Sequence, residues 1–168
     1  LGAWAAGLSA LCAAAAVNMA ALAADGDGQT PPAAAIASAH PLATRAGEEI
    51  LAKGGNAFDA AVAAAGALAV VEPLSSGLGG GGFWLLHRAS DQRDVMLDGR
   101  ERAPLAATPT MYQDARGNVI PGRSIDGPLA AAIPGTPAAL VYLAHRYGRL
   151  PLSTSLAPAI RYAREGFR

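Results

Sequence analysis

The segment that most constrains the fold of this chain is Ala57–Val71, which reads AFDAAVAAAGALAVV. Asp59 is its only charged residue, so a helix formed by this segment is apolar around nearly its whole circumference. Such a helix is stable where other elements cover it, and its alanines and Gly66 allow those elements to approach closely. The sequence therefore predicts a helix buried on every side, with Asn56 as N-cap and Pro73 after its end.

The overall composition indicates an interior packed from small side chains. Alanine accounts for 42 of the 168 residues, and aromatic residues make up 5%. A hydrophobic content of 52% excludes a disordered chain, and the length is that of about one domain. With 13 basic and 13 acidic residues the formal net charge is zero, which disfavours nucleic-acid binding. Lys53 is the only lysine, so Schiff-base or phosphate-loop chemistry would depend on that one residue.

Residues 1–24 predict an export signal. They are uncharged, rich in alanine and leucine, and end in Ala21-Leu22-Ala23, a small-x-small cleavage pattern. A membrane anchor is the alternative, because about 20 apolar residues span a bilayer, but Asn18 interrupts the run and alanine contributes little to insertion. Residues 25–32 (DGDGQTPP) predict a linker. Cys12 is the only cysteine, so the mature chain would contain neither a disulfide nor a thiol nucleophile.

Hydrophobic periodicity and turn residues predict the remaining elements of an α/β chain. Leu42, Ala46 and Ile50 recur every four residues after Pro41, which predicts an amphipathic helix that ends at Gly54-Gly55. The other predicted elements are buried strands at 33–38 and 130–133, an antiparallel hairpin of strands 83–87 and 93–98, a turn-rich segment from 99 to about 128, and helices at 136–147 and 152–164.

The glycine-rich segment SSGLGGGG at 75–82 contains Gly77, Gly79 and Gly82 in a G-x-G-x-x-G pattern. Dinucleotide binding requires a strand before this pattern and a helix after it, and here the predicted order is reversed. No lysine follows the glycines, which excludes a phosphate-binding loop of the P-loop type. The segment is therefore interpreted as a loop without Cβ atoms that packs closely against another segment or a ligand.

Arg100, Glu101 and Arg102 form the most notable charged group, at the end of the second predicted strand. Strand alternation places Arg100 on the same side as Asp98 and Met96. A guanidinium held there offers parallel donors to a carboxylate, or it pairs with Glu101 in solvent. Residue types alone favour the solvated pair.

The histidines predict no metal site. His40, His87 and His145 are far apart in the sequence, without the spacing of paired ligands. His40 is expected at a helix start and His145 on a partly exposed helix face. The chain also contains no G-x-S-x-G nucleophile elbow and no convincing Ser/His/Asp set.

Several strings, in the same order, resemble γ-glutamyltransferases, also called glutathione hydrolases, from about residue 33 to the end of the chain. They are IASAHPLA at 36–43, the segment 47–61 ending in GGNAFDAA, VEP at 71–73, SSGLGGGGF at 75–83, LDGRERAP at 97–104, IPG at 133–135, LAPAI at 156–160 and AREG at 163–166. This number of ordered strings makes the resemblance far more specific than a lone glycine motif.

The resemblance implies an N-terminal-nucleophile hydrolase with an αββα sandwich, made as an exported precursor that cuts itself into a large and a small subunit. The cut frees a threonine at the start of the small subunit, which attacks the γ-glutamyl amide with its own α-amino group as base. The γ-glutamyl-enzyme ester is then resolved by water or by an acceptor amino acid or peptide, with glutathione a typical donor. No cofactor or metal is implied.

Within this chain the resemblance assigns one functional residue, Arg100, to the α-carboxylate of the γ-glutamyl group. The threonine and the oxyanion donors are expected downstream, so the chain, with residues 33–168 as its folded part, is interpreted as the N-terminal part of a large subunit. On this interpretation we expect the αββα sandwich to be incomplete in this chain and the chain to be inactive alone. The complete enzyme is expected to be periplasmic or secreted. Arg102 stands where the family usually has a small or apolar residue. The alternatives are a cephalosporin or glutaryl acylase of the same fold, or a non-catalytic remnant.

Overall fold

Four helices and one β-hairpin make up the described part of the chain. The structure is a computed structural model that describes residues 34–168, and residues 36–168 form one unit. The predicted export signal and linker lie outside the described residues. In chain order the elements are α1 (Pro41–Ala52), α2 (Ala57–Val71), β1 (Gly82–Arg88), β2 (Arg93–Gly99), a single 3-10 turn (Pro128–Ala130), α3 (Thr136–Tyr147) and α4 (Leu152–Glu165).

The predicted helices and hairpin are confirmed. The bounds of α2, α3, α4 and both strands agree with the predicted ones to within one residue. No helix among residues 34–168 combines the length and hydropathy needed to span a membrane.

Helix α1 begins and ends where its capping residues predict. The Nδ1 atom of His40 accepts the N–H of Leu42 at 3.1 Å, and Gly54 follows the helix with a φ of +86°, a conformation that glycine adopts without strain. Ile50 lies on the buried face as predicted. Leu42 is only half-buried, and Ala43 takes the core position instead.

Helix α2 is the centre of the packing. It contacts α1, α3 and α4, and its alanines share one buried apolar cluster with α1 and α4. Gly66 lies so close to α4 that a Cβ atom there would be 2.8 Å from Leu156 Cδ2. The prediction that α2 is buried on every side is wrong, because the described elements cover Ala61, Ala65 and Ala69 only in part.

The β-hairpin packs one face against the helices. The strands pair antiparallel, from Gly82 opposite Gly99 to Arg88 opposite Arg93. Trp84 and Leu86 lie in a second apolar cluster with side chains of α2 and α3. The alternate side chains of the hairpin point to the other face, which is largely exposed.

Two predicted strands are absent from the described residues. Residues 35–38 have no regular structure, and Ile36 packs its side chain over Gly47 instead of pairing its backbone with a strand. Of residues 130–133, Ile133 alone pairs, in an isolated bridge with Arg102, and it is 55% exposed. Both predictions are wrong because a short apolar run forms a strand only where a neighbour supplies backbone partners.

A buried carboxylate connects the start of α2 to the junction between α3 and α4. Asp59 is fully buried, and its Oδ2 atom accepts the N–H groups of Asn56 and Arg149, both at 2.9 Å, while Oδ1 accepts that of Leu150 at 3.3 Å. Asn56 completes the predicted capping box and also donates from Nδ2 to the carbonyl oxygen of Tyr147 at 2.7 Å. One helix cap therefore fixes a contact between segments about 90 residues apart in sequence.

A surface ion pair joins α1 to α4. Glu49 accepts from Arg161 Nη2 at 2.7 Å and from Lys53 Nζ at 2.8 Å. These hydrogen bonds, chiefly the one from Arg161, lower the pKa of Glu49 below its ordinary value. Partly exposed pairs of this kind add little stability, so the buried Asp59 contacts matter more.

Replacing Asp59 with alanine is expected to lower the free energy of unfolding by about 2 kcal/mol, because three backbone N–H groups lose their charged acceptor. The measurement is urea unfolding of the complete protein, followed by circular dichroism. Asp126→Ala removes an exposed loop carboxylate and is the matched control, for which no change is expected. Equal unfolding midpoints for the two variants would contradict the role assigned to Asp59.

Candidate functional site

A groove of about 340 Å³ opens where strand β2 ends. Its walls are the last residues of β2, the segment 133–135 that leads into α3, and the first turns of α3. Arg100, Arg102 and Tyr142 of α3 are among the residues that line it. The structure therefore brings the predicted site residue, Arg100, to a concave surface with an apolar wall.

Arg100 is held in place on three sides. Its backbone N–H donates to Asp98 Oδ1 at 3.0 Å, and its Nε donates to Glu101 Oε2 at 3.0 Å. Its guanidinium carbon lies 5.7 Å from the centroid of the Phe83 ring, a cation–π arrangement. Phe83 pairs with Asp98 across the hairpin, so Arg100 lies on the face that alternation predicts.

The terminal nitrogens of Arg100 are available to a ligand. The side chain is 61% exposed, and within residues 34–168 only its Nε makes a side-chain hydrogen bond. The sequence left two alternatives for Arg100, a solvated ion pair with Glu101 and a carboxylate-binding guanidinium. In the structure Arg100 forms the ion pair with Glu101 and also lines a groove. A guanidinium bound through Nε still presents two N–H donors to a carboxylate.

Glu101 is kept ionised at this site. Hydrogen bonding to its own backbone N–H, and then to the Arg100 side chain, lowers the pKa of this carboxyl below its ordinary value. An ionised carboxylate at Nε restrains the rotation of the guanidinium. Glu101 therefore helps to orient Arg100.

The glycine loop, residues 77–81, packs against the backbone of Arg100. A Cβ atom on Gly81 would lie 2.6 Å from the carbonyl oxygen of Gly99, 2.7 Å from the nitrogen of Glu101 and 2.8 Å from Arg100 Cα. Only glycine allows the two segments to lie this close. The predicted packing role is confirmed for Gly81, whereas a Cβ atom at Gly79 would have no neighbouring segment within 4 Å. The strand that follows the loop is β1, as predicted.

The start of α3 binds the same loop. The carbonyl oxygen of Gly80 accepts the N–H groups of Gly135 and Thr136, at 3.0 and 3.1 Å, and the Thr136 hydroxyl at 3.1 Å. Gly135 also lies against the carbonyl oxygens of Gly99 and Arg100 with no room for a side chain. The sequence analysis assigned no role at the site to Gly135 or Thr136. The available signal was a glycine directly before a predicted helix, a position that allows another segment of backbone to approach closely.

The histidines lie apart from the groove. His40 caps α1, His87 contacts Asp94 at 2.8 Å on the hairpin surface, and His145 is exposed on α3. In the described part of the chain no three His, Cys, Asp or Glu side chains form a group suited to a metal ion. The chemistry that the described groove itself offers is recognition of an anion by arginine.

Comparisons with known proteins agree with this geometry. Residues 43–168 match the family model described as gamma-glutamyltranspeptidase. The chain is 47% identical over 132 residues to the glutathione hydrolase proenzyme of Pseudomonas sp. (strain A14), a match that covers 79% of this chain and 23% of that protein. The chain thus spans less than a quarter of the length of this curated relative.

Solved structures show the same similarity. The Helicobacter pylori gamma-glutamyltranspeptidase superposes with a TM-score of 0.77 at 46% identity, covering 83% of this chain and 40% of that one. A cephalosporin acylase from Bacillus halodurans superposes with a TM-score of 0.65 at 38% identity, covering 84% and 28%. The predicted fold class is confirmed, since gamma-glutamyltranspeptidases are N-terminal-nucleophile hydrolases. On the family model, the sequence identities and the superposed structures together, this chain belongs to the gamma-glutamyltranspeptidase family.

Proposed function

We propose that this chain forms part of an enzyme that hydrolyses glutathione and other γ-glutamyl compounds or transfers their γ-glutamyl group to an acceptor. Its membership of the gamma-glutamyltranspeptidase family and its similarity to glutathione hydrolase proenzymes support this function. The observation that carries the proposal is the position of Arg100, which lines a groove with its terminal nitrogens exposed.

In this proposal Arg100 binds the α-carboxylate of the γ-glutamyl donor through its terminal nitrogens. The hydrogen bond to Glu101 and the Phe83 ring restrain the guanidinium, so less rotational freedom is lost when the donor binds. The groove then holds the amino-acid end of the donor at Arg100. The chain contributes binding and orientation to the reaction.

The bond-breaking step belongs to the partner subunit expected from the same precursor. Its N-terminal threonine attacks the γ-carbonyl carbon, the amide C–N bond breaks, and the amine leaves with a proton as an ester forms. Water or the amino group of an acceptor then attacks the ester and releases the threonine hydroxyl. No metal or cofactor is needed for this sequence of steps.

An acylase of the same fold is the second candidate, because the chain also superposes on a cephalosporin acylase. Arg100 selects donors that carry a carboxylate at the end of the acyl chain, because an acyl group without that carboxylate leaves the guanidinium without a ligand. A glutaryl group retains this carboxylate and lacks only the α-amino group of a γ-glutamyl group, so Arg100 suits both candidates. The higher identity to the gamma-glutamyltranspeptidase, 46% against 38% for the acylase, favours a γ-glutamyl donor.

Replacing Arg100 with alanine in the complete precursor is expected to lower kcat/KM for γ-glutamyl donors by roughly 30-fold or more, mainly through KM, because a charged hydrogen bond to the donor is lost. Cleavage of the precursor is expected to continue, since Arg100 contacts the donor and not the cleavage junction. The measurements are steady-state kinetics with a γ-glutamyl anilide and electrophoresis of the processed subunits.

Arg100→Lys tests whether the two parallel N–H donors of the guanidinium matter, because lysine retains the positive charge at a single point. We expect a loss of kcat/KM smaller than that of Arg100→Ala. Arg116→Ala removes an exposed loop arginine and serves as the matched control with unchanged kinetics. An unchanged KM in Arg100→Ala would refute the assignment of Arg100. Turnover of a glutaryl anilide, which lacks only the α-amino group, at the same rate as the γ-glutamyl anilide would favour the acylase.

Replacing Gly81 with alanine is expected to lower kcat/KM by roughly tenfold or more, because the new Cβ atom displaces the backbone around Arg100 and a small misplacement of a binding group is costly. Gly79→Ala is a control in the same loop: a Cβ atom at Gly79 has no other atom within 4 Å. Equal kcat/KM values for the two variants would show that the close packing at Gly81 does not position Arg100.

Export to the periplasm or the medium is part of the proposal and rests on the uncharged residues 1–24. The mature chain is expected to begin at Ala24 or Asp25, after the Ala21-Leu22-Ala23 pattern. N-terminal sequencing of the exported product measures this directly. Ala23→Arg should block processing, since the cleavage site requires a small residue, and a mature terminus upstream of Ala21 would contradict the assigned site.

A further inference from the structure

We propose that Arg102 determines substrate specificity by binding a second carboxylate, carried by the group that leaves the γ-glutamyl donor. This inference rests on the proposed function, in which Arg100 holds the α-carboxylate of the same donor. It selects a substrate class, namely γ-glutamyl compounds whose leaving amine is itself acidic, over donors with an uncharged leaving group.

The backbone places Arg102 beside Arg100. Arg102 follows Arg100 by two residues, and both residues line the groove. The backbone of Arg102 is fixed by two hydrogen bonds with Ile133, N–H to carbonyl oxygen in each direction, at 3.1 and 2.9 Å. Arg102 is therefore anchored at the groove despite its exposed side chain.

The distribution of charge separates the two arginines. Arg100 forms an ion pair with Glu101, and Asp98 accepts its backbone N–H. For Arg102, by contrast, residues 34–168 provide no carboxylate within ion-pair distance. Arg100 is thus largely compensated before a donor binds, and the uncompensated positive charge of the groove belongs to Arg102.

The apolar residues beside Arg102 suit the body of a leaving group. Ile133, the backbone partner of Arg102, lines the groove together with Pro134 and Tyr142, and all three are exposed. Apolar walls reduce the local screening of charge, so a carboxylate that enters the groove interacts more strongly with a guanidinium there than in open solvent. An amine that carries both an apolar portion and a carboxylate therefore matches this groove better than a neutral amine.

The test uses the complete, processed enzyme and two donors that differ in one group: γ-glutamyl-4-nitroanilide and the same anilide with a carboxylate on its ring. The wild-type enzyme is expected to prefer the carboxylated donor. In Arg102→Ala, kcat/KM for that donor should fall about fivefold while the neutral donor changes by less than about twofold, as for a partly exposed charge pair. Arg102→Lys should retain most of the preference.

Arg123→Ala, an exposed arginine on the neighbouring loop, is the matched control and should change neither donor. Arg102→Ala should fold normally, because the described hydrogen bonds of Arg102 are made by its backbone. Arg102→Gln retains more of the side chain and serves as a second uncharged variant. Equal losses for the two donors, or no loss for either, in both uncharged variants would overturn the proposal for Arg102. Failure of the proposed function has a different signature, namely no turnover of either donor by the wild-type enzyme.

Discussion

Close backbone approach, made possible by residues with little or no side chain, is the constraint on which both the core and the groove depend. Gly66 lets α4 pack against α2, and Gly81 and Gly135 let the glycine loop and the start of α3 meet the end of β2. A larger side chain would collide with backbone atoms at Gly81 and Gly135, and with the Leu156 side chain at Gly66. The high alanine content likewise allows the helices to approach closely, but each alanine buries less apolar area than a larger residue would. The buried Asp59 compensates in part, because it joins two distant segments through three backbone N–H groups.

The same packing explains why an exposed arginine can have a defined position. Arg100 has few contacts of its own, but its backbone lies between Gly81 and Gly135, and Glu101 and Phe83 restrain its guanidinium. The side chain is largely exposed and its terminal nitrogens have no hydrogen-bond partner among residues 34–168, while the backbone of Arg100 is held at the groove. The position of Arg100 is thus fixed by the surrounding backbone, while its side chain remains accessible to solvent. This combination favours anion binding over a purely structural ion pair.

Local signals were sufficient to predict most of the fold. The capping residues Asn56 and Asp59, the helix-ending Gly54 and the alternating pattern of the hairpin act over a few residues, so their outcome can be read from neighbours in the sequence. The two wrong strands, at 33–38 and 130–133, depended on a partner strand that no local pattern specifies. The same limit applies to α2, whose uniformly apolar sequence predicted complete burial although its actual cover depends on which elements pack around it.

For the candidate site, several family-like strings in the same order predicted the family and assigned Arg100 to the site, because a run of side chains in fixed order is a property of the sequence alone. The sequence also contained the signs of an export signal and the unusual arginine at 102. Three features could not be predicted from the sequence: the groove, the contact of Gly135 and Thr136 with Gly80, and the presence of an ion-pair partner for Arg100 but not, among residues 34–168, for Arg102. These features arise only when segments from β2, the glycine loop and α3 meet, since distances between residues far apart in the chain are set by packing and not by spacing along it.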